Sequence, residues 1–201
     1  LLLAGEGINL FLAGAAGPLR GFVAGLRGDR RFAGLDVKES WSETVPFRRL
    51  LVKVKREIIR MNHPAIVPQR ARAAAVDAAT LARWLDAGRD DDGRELLMLD
   101  TRNAFEVGHG RFAGALDWGL RRFSDFPPAA LAQREALAGR AVVSYCTGGI
   151  RCEKAALFLR EAGVEPVWQL DGGLLKYFKV TGGRHFEGRC FVFDERESVD
   201  T

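Results

Sequence analysis

One cysteine in this sequence lies where its sulfur could act as a nucleophile. Cys146 follows an apolar run at residues 141–145, which predicts a buried strand, and precedes a predicted helix. The loop between them, 146–151, contains two adjacent glycines and ends at an arginine. Helix N-termini and nearby guanidinium groups stabilise a thiolate, so we expect a pKa in the range of about 3.5–7.5 instead of about 8.5. The sequence therefore predicts a charged, reactive sulfur exposed at the rim of a parallel sheet.

The other loop residues are Thr147, Gly148, Gly149, Ile150 and Arg151. Both glycines permit the positive φ that lets successive amides turn inward around an anion, while the arginine adds a fixed positive charge. The alternative is a buried structural cysteine beside a glycine-rich turn.

The spacing within the loop resembles that of the rhodaneses. Four residues separate Cys146 from Arg151, one fewer than in phosphatases of the same topology, whose loop encircles a phosphate. The shorter ring is similar to the rhodanese loop, which is shaped around a cysteine persulfide or a similarly small group.

Further rhodanese-like motifs follow in the family's order and cover about residues 70–185. Asp100 and Arg102 end a predicted strand in an Asp-x-Arg pattern, where an ion pair at the sheet edge is the alternative to a role in the reaction. A segment at 106–109 ends in His109, which we expect to be structural, and a Gly-Gly pair at 172–173 follows the last predicted strand.

A longer set of motifs resembles the rhodanese-domain family of oxygen-dependent tRNA uridine hydroxylases. These motifs are the string at 145–155, Glu-Gly-Ile-Asn at 6–9, and the segments 51–58 and 191–196. The resemblance implies formation of 5-hydroxyuridine at the wobble position of tRNA, with Cys146 essential and dioxygen as co-substrate. No flavin, haem or nicotinamide fingerprint occurs in the sequence, and no cofactor or metal is expected.

Two other functions are compatible with the same residues, because rhodanese domains serve many activities. A sulfurtransferase would carry a persulfide on Cys146, received from thiosulfate or a donor protein. A non-catalytic protein would only bind tRNA or act as a scaffold.

The other two cysteines have less specific settings. Three cysteines without framework spacing predict free thiols. Cys152 is expected either to pack against the sheet or to resolve an oxidised Cys146 by disulfide exchange. Cys190 is assigned to packing.

Charge is unevenly distributed along the chain. The net charge is +7 in residues 1–75 and −3 in residues 76–201. A basic half is either a solvated surface or a footprint for a polyanion such as RNA. The residues expected to contact tRNA phosphates are Arg48, Arg49, Lys53, Lys55 and Arg56. Tyr145, Trp118 and Phe123 are candidates for stacking on the wobble base, with core packing as the alternative.

The predicted fold class is α/β, a rhodanese-like doubly wound parallel sheet preceded by a ferredoxin-like or acylphosphatase-like α+β domain. The acylphosphatase-like domain is expected at 1–61 in the order strand, strand, helix, strand, without its first strand and helix, and is followed by a linker at 62–72. The alternating pattern at 50–55 predicts that the last of these strands has one wetter face. The rhodanese domain is expected at 73–188, and 189–201 as the start of a truncated tail. No apolar run reaches the roughly 20 residues of a membrane span, so a cytoplasmic protein is expected.

Overall fold

The computed structural model describes residues 1–35, 37–68 and 70–200, which form two compact units. Unit 1 consists of Leu1–Ile58 with Phe193–Arg196, and unit 2 of Ile59–Val192 with Glu197–Thr201. The predicted linker lies in unit 2, and the predicted tail is divided between the units. Within those two segments, Gln69 and Thr201 lie outside the described residues. The domain boundaries stay predictions.

Unit 1 contains a three-stranded sheet and one helix in the predicted order of strand, strand, helix, strand. The elements are β1 (Leu2–Ala4), β2 (Gly7–Asn9), α1 (Ala16–Arg27) and β3 (Lys53–Val54). β1 lies in the centre, antiparallel to β2 and parallel to β3. The alternation at 50–55 predicted a longer strand with one wetter face, and this is wrong. β3 has two residues, both exposed, and a sheet neighbour on one side only.

Unit 2 alternates strands and helices. Its elements are β4 (Ala74–Val76), α2 (Ala78–Ala87), β5 (Leu96–Asp100), α3 (Ala104–Val107), β6 (Gly110–Phe112), β7 (Leu116–Asp117), α4 (Phe126–Gln133), β8 (Ala141–Tyr145), α5 (Ile150–Glu161), β9 (Val167–Leu170), α6 (Gly173–Thr181), β10 (Phe186–Gly188), β11 (Cys190–Phe191) and β12 (Ser198–Val199). Two 3-10 helices, Phe123–Asp125 and Arg134–Leu137, flank α4.

The main sheet of unit 2 is parallel, with strand order β4-β9-β8-β5-β7. β8 lies at its centre, and all five of its residues are buried, which confirms the prediction from its apolar run. Successive β8 residues point to opposite faces, so Val142 packs in one core and Val143 in the other. Side chains of α4 and α5 fill the first core, and those of α2 and α6 fill the second. The unit is therefore a doubly wound α/β fold, as predicted.

The carboxyl ends of β5 and β8 lie side by side because the two strands pair in parallel, with Asp100 opposite Tyr145. The loop that follows β8 therefore begins beside the turn that follows β5. This edge is where an open parallel sheet binds ligands.

Candidate active site

Hydrogen bonds from two other segments fix the start of the 146–151 loop. Thr101 donates its N–H and its hydroxyl to the carbonyl of Tyr145, at 3.0 and 2.8 Å, and so anchors the end of β8. The loop carbonyls of Cys146 and Thr147 accept from the N–H groups of Leu174 and Leu175, at 3.0 and 3.2 Å. Those donors belong to the first turn of α6, whose N–H groups have no partner within the helix. The loop is thus held by the helix that follows the next strand.

Glycine is required where α6 meets the loop. Gly173 has φ +67°, and a Cβ atom there would lie 2.5 Å from the carbonyl oxygen of Cys146 and 2.8 Å from that of Thr147. Sequence reasoning noted this Gly-Gly pair as a motif but assigned it no role in the site. Within the loop, Gly149 uses the positive φ that glycine permits, at +100°, whereas Gly148 does not. One left-handed residue therefore suffices to turn the chain into α5.

The sulfur of Cys146 points into the protein. It accepts a hydrogen bond from the N–H of Gly149 at 3.1 Å and from the thiol of Cys152 at 3.2 Å. The residue is 2% exposed, so the expectation of an exposed sulfur at the rim is wrong. The loop covers the Cys146 side chain, because the groups that donate to its sulfur lie on the inner side of the loop.

Burial does not keep Cys146 neutral. Burial alone raises the pKa of the thiol, but the hydrogen bond from Cys152, the charge of Arg151 and the backbone N–H groups outweigh it and lower the pKa to about 5. Cys152 moves in the opposite direction: burial, its hydrogen bond to Cys146 and the negative charge there raise its pKa well above that of an ordinary thiol. The pair therefore consists of one thiolate and one thiol, and the direction for Cys146 agrees with the sequence prediction.

Arg151 is held by a carboxylate from another part of the chain. Its Nη2 donates to Oε2 of Glu106 at 2.7 Å, and its Nη1 donates to Oε1. Both side chains are buried, and the ion pair raises the pKa of the arginine against the effect of burial. Glu106 lies in α3 and also accepts from the N–H of Asn103, the residue before the helix, at 3.1 Å.

Sequence reasoning missed the role of Glu106. The residue belongs to the rhodanese-like segment 106–109, but it is 45 positions from Arg151 in sequence, and this separation gave no sign that the two side chains meet. A glutamate three positions into a short helix, next to a strand end that carries Asp-x-Arg, is the signal that was available.

Asp100 and Arg102 form the buried ion pair that the sequence offered as the alternative to a part in the reaction. Both side chains have no solvent exposure, and they meet through two nitrogens of the guanidinium, with an Nη2–Oδ2 distance of 2.6 Å. Arg102 also donates to the carbonyl of Gly110 in β6 at 2.6 Å, and its guanidinium lies 5.6 Å from the centre of the Tyr145 ring. The pair thus ties the end of β5 to the antiparallel pair of strands β6 and β10.

Two of the three residues considered for base stacking belong to the core. Tyr145 is fully buried, 4.9 Å from the Phe112 ring in an edge-to-face contact, and Phe123 is 3% exposed. Their alternative role in packing is therefore correct, while Trp118 is partly buried against the Phe126 ring at 5.2 Å. Cys190 is also buried in the core, as predicted, and burial raises its pKa to about 11.

The residues expected to contact tRNA phosphates all lie on the surface of unit 1. Arg48 pairs with Glu195, and Lys55 donates to the carbonyl of Ile58 at 3.3 Å. The side chains in this exposed set are those of Arg48, Arg49, Lys53, Lys55 and Arg56. Exposure is compatible with binding to tRNA phosphates but does not test it, so the role of these five residues stays a prediction.

Two other kinds of feature, a metal site and a membrane span, are absent from residues 1–35, 37–68 and 70–200. No three His, Cys, Asp or Glu side chains converge there in a way that could hold a metal ion. No helix in the same ranges has the length and apolar character to cross a membrane.

Two family models match the chain. The model described as "UPF0176 acylphosphatase like domain" matches residues 1–58, and the model described as "Rhodanese-like domain" matches residues 77–179. The second includes the loop, Glu106, Arg102 and Gly173.

Curated relatives match over nearly the whole chain. Proteins named "tRNA uridine(34) hydroxylase" from Bordetella pertussis and Variovorax paradoxus are 66% and 63% identical, over 100% and 99% of this chain and 82% and 76% of their own lengths. One from Ralstonia nicotianae is 56% identical over 100% of this chain and 71% of its own length. A rhodanese-like domain from Anabaena sp., solved by NMR, has a TM-score of 0.45 and 24% identity, and covers 57% of this chain and 78% of that one.

Proposed function

We propose that this chain, which belongs to the rhodanese-containing family of the tRNA uridine(34) hydroxylases, hydroxylates uridine 34 of tRNA to 5-hydroxyuridine with Cys146 as its nucleophile. Dioxygen is the co-substrate in this proposal, and the reaction takes place in the cytoplasm, where tRNA is used. The observation that carries it is a buried thiolate, held by fixed donors in the loop after the central strand.

The chemistry begins with a bond from sulfur to carbon. The Cys146 thiolate adds to C6 of the uracil ring, and the electron pair displaced from the C5–C6 double bond makes C5 electron-rich enough to react with dioxygen. Arg151, held by Glu106, offers a positive charge to the developing enolate. Since the sulfur is 2% exposed, the loop must open around it before the ring can reach bonding distance.

The position of Cys152 favours hydroxylation over sulfurtransfer. If Cys146 carried a persulfide, the thiol of Cys152 would lie in contact with it, since the two Sγ atoms are 3.2 Å apart. Attack of Cys152 on the Cys146 sulfur would release hydrogen sulfide and leave a disulfide. A sulfurtransferase with this arrangement would release its sulfane sulfur as hydrogen sulfide before an acceptor molecule bound.

The test is the modified-nucleoside profile of tRNA. Cells that lack the protein are complemented with wild type, Cys146→Ser or Cys190→Ser, and 5-hydroxyuridine is measured by mass spectrometry. We expect wild type and Cys190→Ser to restore the nucleoside and Cys146→Ser to fail. Equal levels with and without the protein would refute the hydroxylase, and restoration of the nucleoside by Cys146→Ser would refute Cys146 as its nucleophile.

The basic surface of unit 1 is the proposed contact with tRNA phosphates. Charge reversal at Arg49, Lys53 and Lys55 should weaken tRNA binding and make its logarithmic salt dependence shallower by about 0.7–0.9 for each phosphate that is no longer neutralised. Arg134→Glu, at an exposed position in unit 2, is the matched control and should leave the slope unchanged. An unchanged slope in the unit 1 variants would remove those residues from the interface.

A further inference from the structure

Two of the three cysteines are placed to form a bond with each other. The Sγ atoms of Cys146 and Cys152 lie 3.2 Å apart, although the residues occupy the two ends of the loop turn. A disulfide has an S–S length of about 2.05 Å, so an approach of roughly 1.2 Å would close it. Cys190 hydrogen-bonds instead to the carbonyl of Phe191, within the core on the α2 and α6 side of the sheet.

The two sulfurs differ in their protonation. Cys146 is the thiolate, because Gly149, Cys152 and Arg151 all favour its negative charge, and Cys152 retains its proton in the hydrogen bond to it. One sulfur can therefore bond to carbon while the other still holds a proton and an unused electron pair. Packing alone gives no reason for a thiol to donate to a charged sulfur in the core.

Hydroxylation by dioxygen needs two electrons besides those of the C–H bond. One oxygen atom enters the product, and the other must be reduced to water with two electrons and two protons. Resting on the proposed function, we propose that the Cys146–Cys152 dithiol supplies these two electrons and ends each turnover as a disulfide. Cys152 is then a catalytic residue, and the enzyme must be reduced by a thiol or a dithiol protein before it acts again.

Atoms and electrons balance in the following steps. After Cys146 has bonded to C6, dioxygen adds to C5 and takes up a proton to give a hydroperoxide. The Cys152 sulfur attacks the outer oxygen, so the O–O bond breaks, a hydroxyl stays on C5 and Cys152 becomes a sulfenic acid. Loss of the C5 proton and of the C6–S bond restores the ring double bond and returns Cys146 as a thiolate. That thiolate displaces hydroxide from Cys152, which with a proton leaves as water.

The test is a single turnover by fully reduced protein in air, after removal of all reductant. We expect wild type to form no more than one 5-hydroxyuridine per chain and to lose two of its three free thiols, with a Cys146–Cys152 disulfide found by peptide mass mapping. Added dithiothreitol should restore repeated turnover. Retention of all three thiols after hydroxylation would overturn the inference.

Cys152→Ser and Cys190→Ser form the matched pair of variants. A serine at 152 can still donate a hydrogen bond to Cys146, so the thiolate should persist in its ultraviolet absorbance, while hydroxylation without reductant is lost. Cys190→Ser should behave as wild type. Hydroxylation by Cys152→Ser at the wild-type yield would refute the electron-supply role and leave the hydroxylase intact. Wild type that forms no 5-hydroxyuridine even with dithiothreitol would refute the proposed function, and this inference with it.

Discussion

The charge of Arg151 should be measurable in the ionisation of Cys146. Arg151→Met removes a positive charge close to the sulfur and leaves the Glu106 carboxylate behind, and both changes disfavour the thiolate. An opposite charge within a few ångströms lowers a pKa by about 1–3 units, so its loss should raise the midpoint from about 5 to about 6–8. At pH 7 the thiolate fraction would then fall from about 99% to between about 90% and 10%.

The assay is a pH titration of the thiolate's ultraviolet absorbance, with Cys146→Ser subtracted as the blank. Absorbance does not depend on access to the buried sulfur, unlike alkylation. Glu106→Gln breaks the same ion pair and should cost a similar stability, about 3–5 kcal/mol, but it leaves the arginine charged and so should not raise the midpoint. A wild-type midpoint at the ordinary value near 8.5, or equal upward shifts in both variants, would refute the electrostatic reasoning.

Three other outcomes follow from the same contacts. Gly173→Ala should destabilise the fold by more than the roughly 1–2 kcal/mol that a left-handed conformation costs a non-glycine residue, because its Cβ would also clash with a loop carbonyl. Gly148→Ala, whose Cβ would face open space, should cost less, and thermal unfolding measures both. Asp100→Asn should cost about 3–5 kcal/mol in denaturant unfolding, and Asp91→Asn, from an exposed pair, less than about 1 kcal/mol. Because the folded pKa of Cys146 is depressed, its contribution to stability is complete above the ordinary thiol pKa of about 8.5, declines as the pH falls and is lost below about 5. Cys146→Ser should remove this pH dependence.

The parts of the site that could be predicted were those encoded by continuous sequence. The apolar run of β8 placed that strand at the centre of the sheet, and the glycine pair and arginine after it placed the loop at a helix N-terminus. The direction of the Cys146 pKa followed from those neighbours alone. α6 was missed because it begins at two glycines of positive φ, a start that lacks a polar capping residue.

Contacts between distant segments could not be predicted in the same way. Glu106 reaches Arg151 only because α3 follows β5, and β5 pairs with β8. Whether a sulfur faces solvent or the interior depends on the dihedral angles of a six-residue loop, which the amino-acid types do not determine. The burial of Cys146 and its contact with Cys152 are therefore seen only in the folded structure.

Burial and ionisation of Cys146 depend on each other through Glu106. A guanidinium that is to act on a sulfur with little interference from water must itself be buried, and a buried cation without an anion is strongly destabilising. The Glu106 carboxylate neutralises Arg151, so the thiolate remains as the excess negative charge of the group. The hydrogen-bond donors to the Cys146 sulfur are a backbone N–H and a thiol, which are weaker donors than a guanidinium. They stabilise the negative charge and leave the sulfur nucleophilic. Replacement of Cys152 by a residue that cannot donate a hydrogen bond would remove one of these donors and, in the proposed cycle, the thiol that reduces the hydroperoxide.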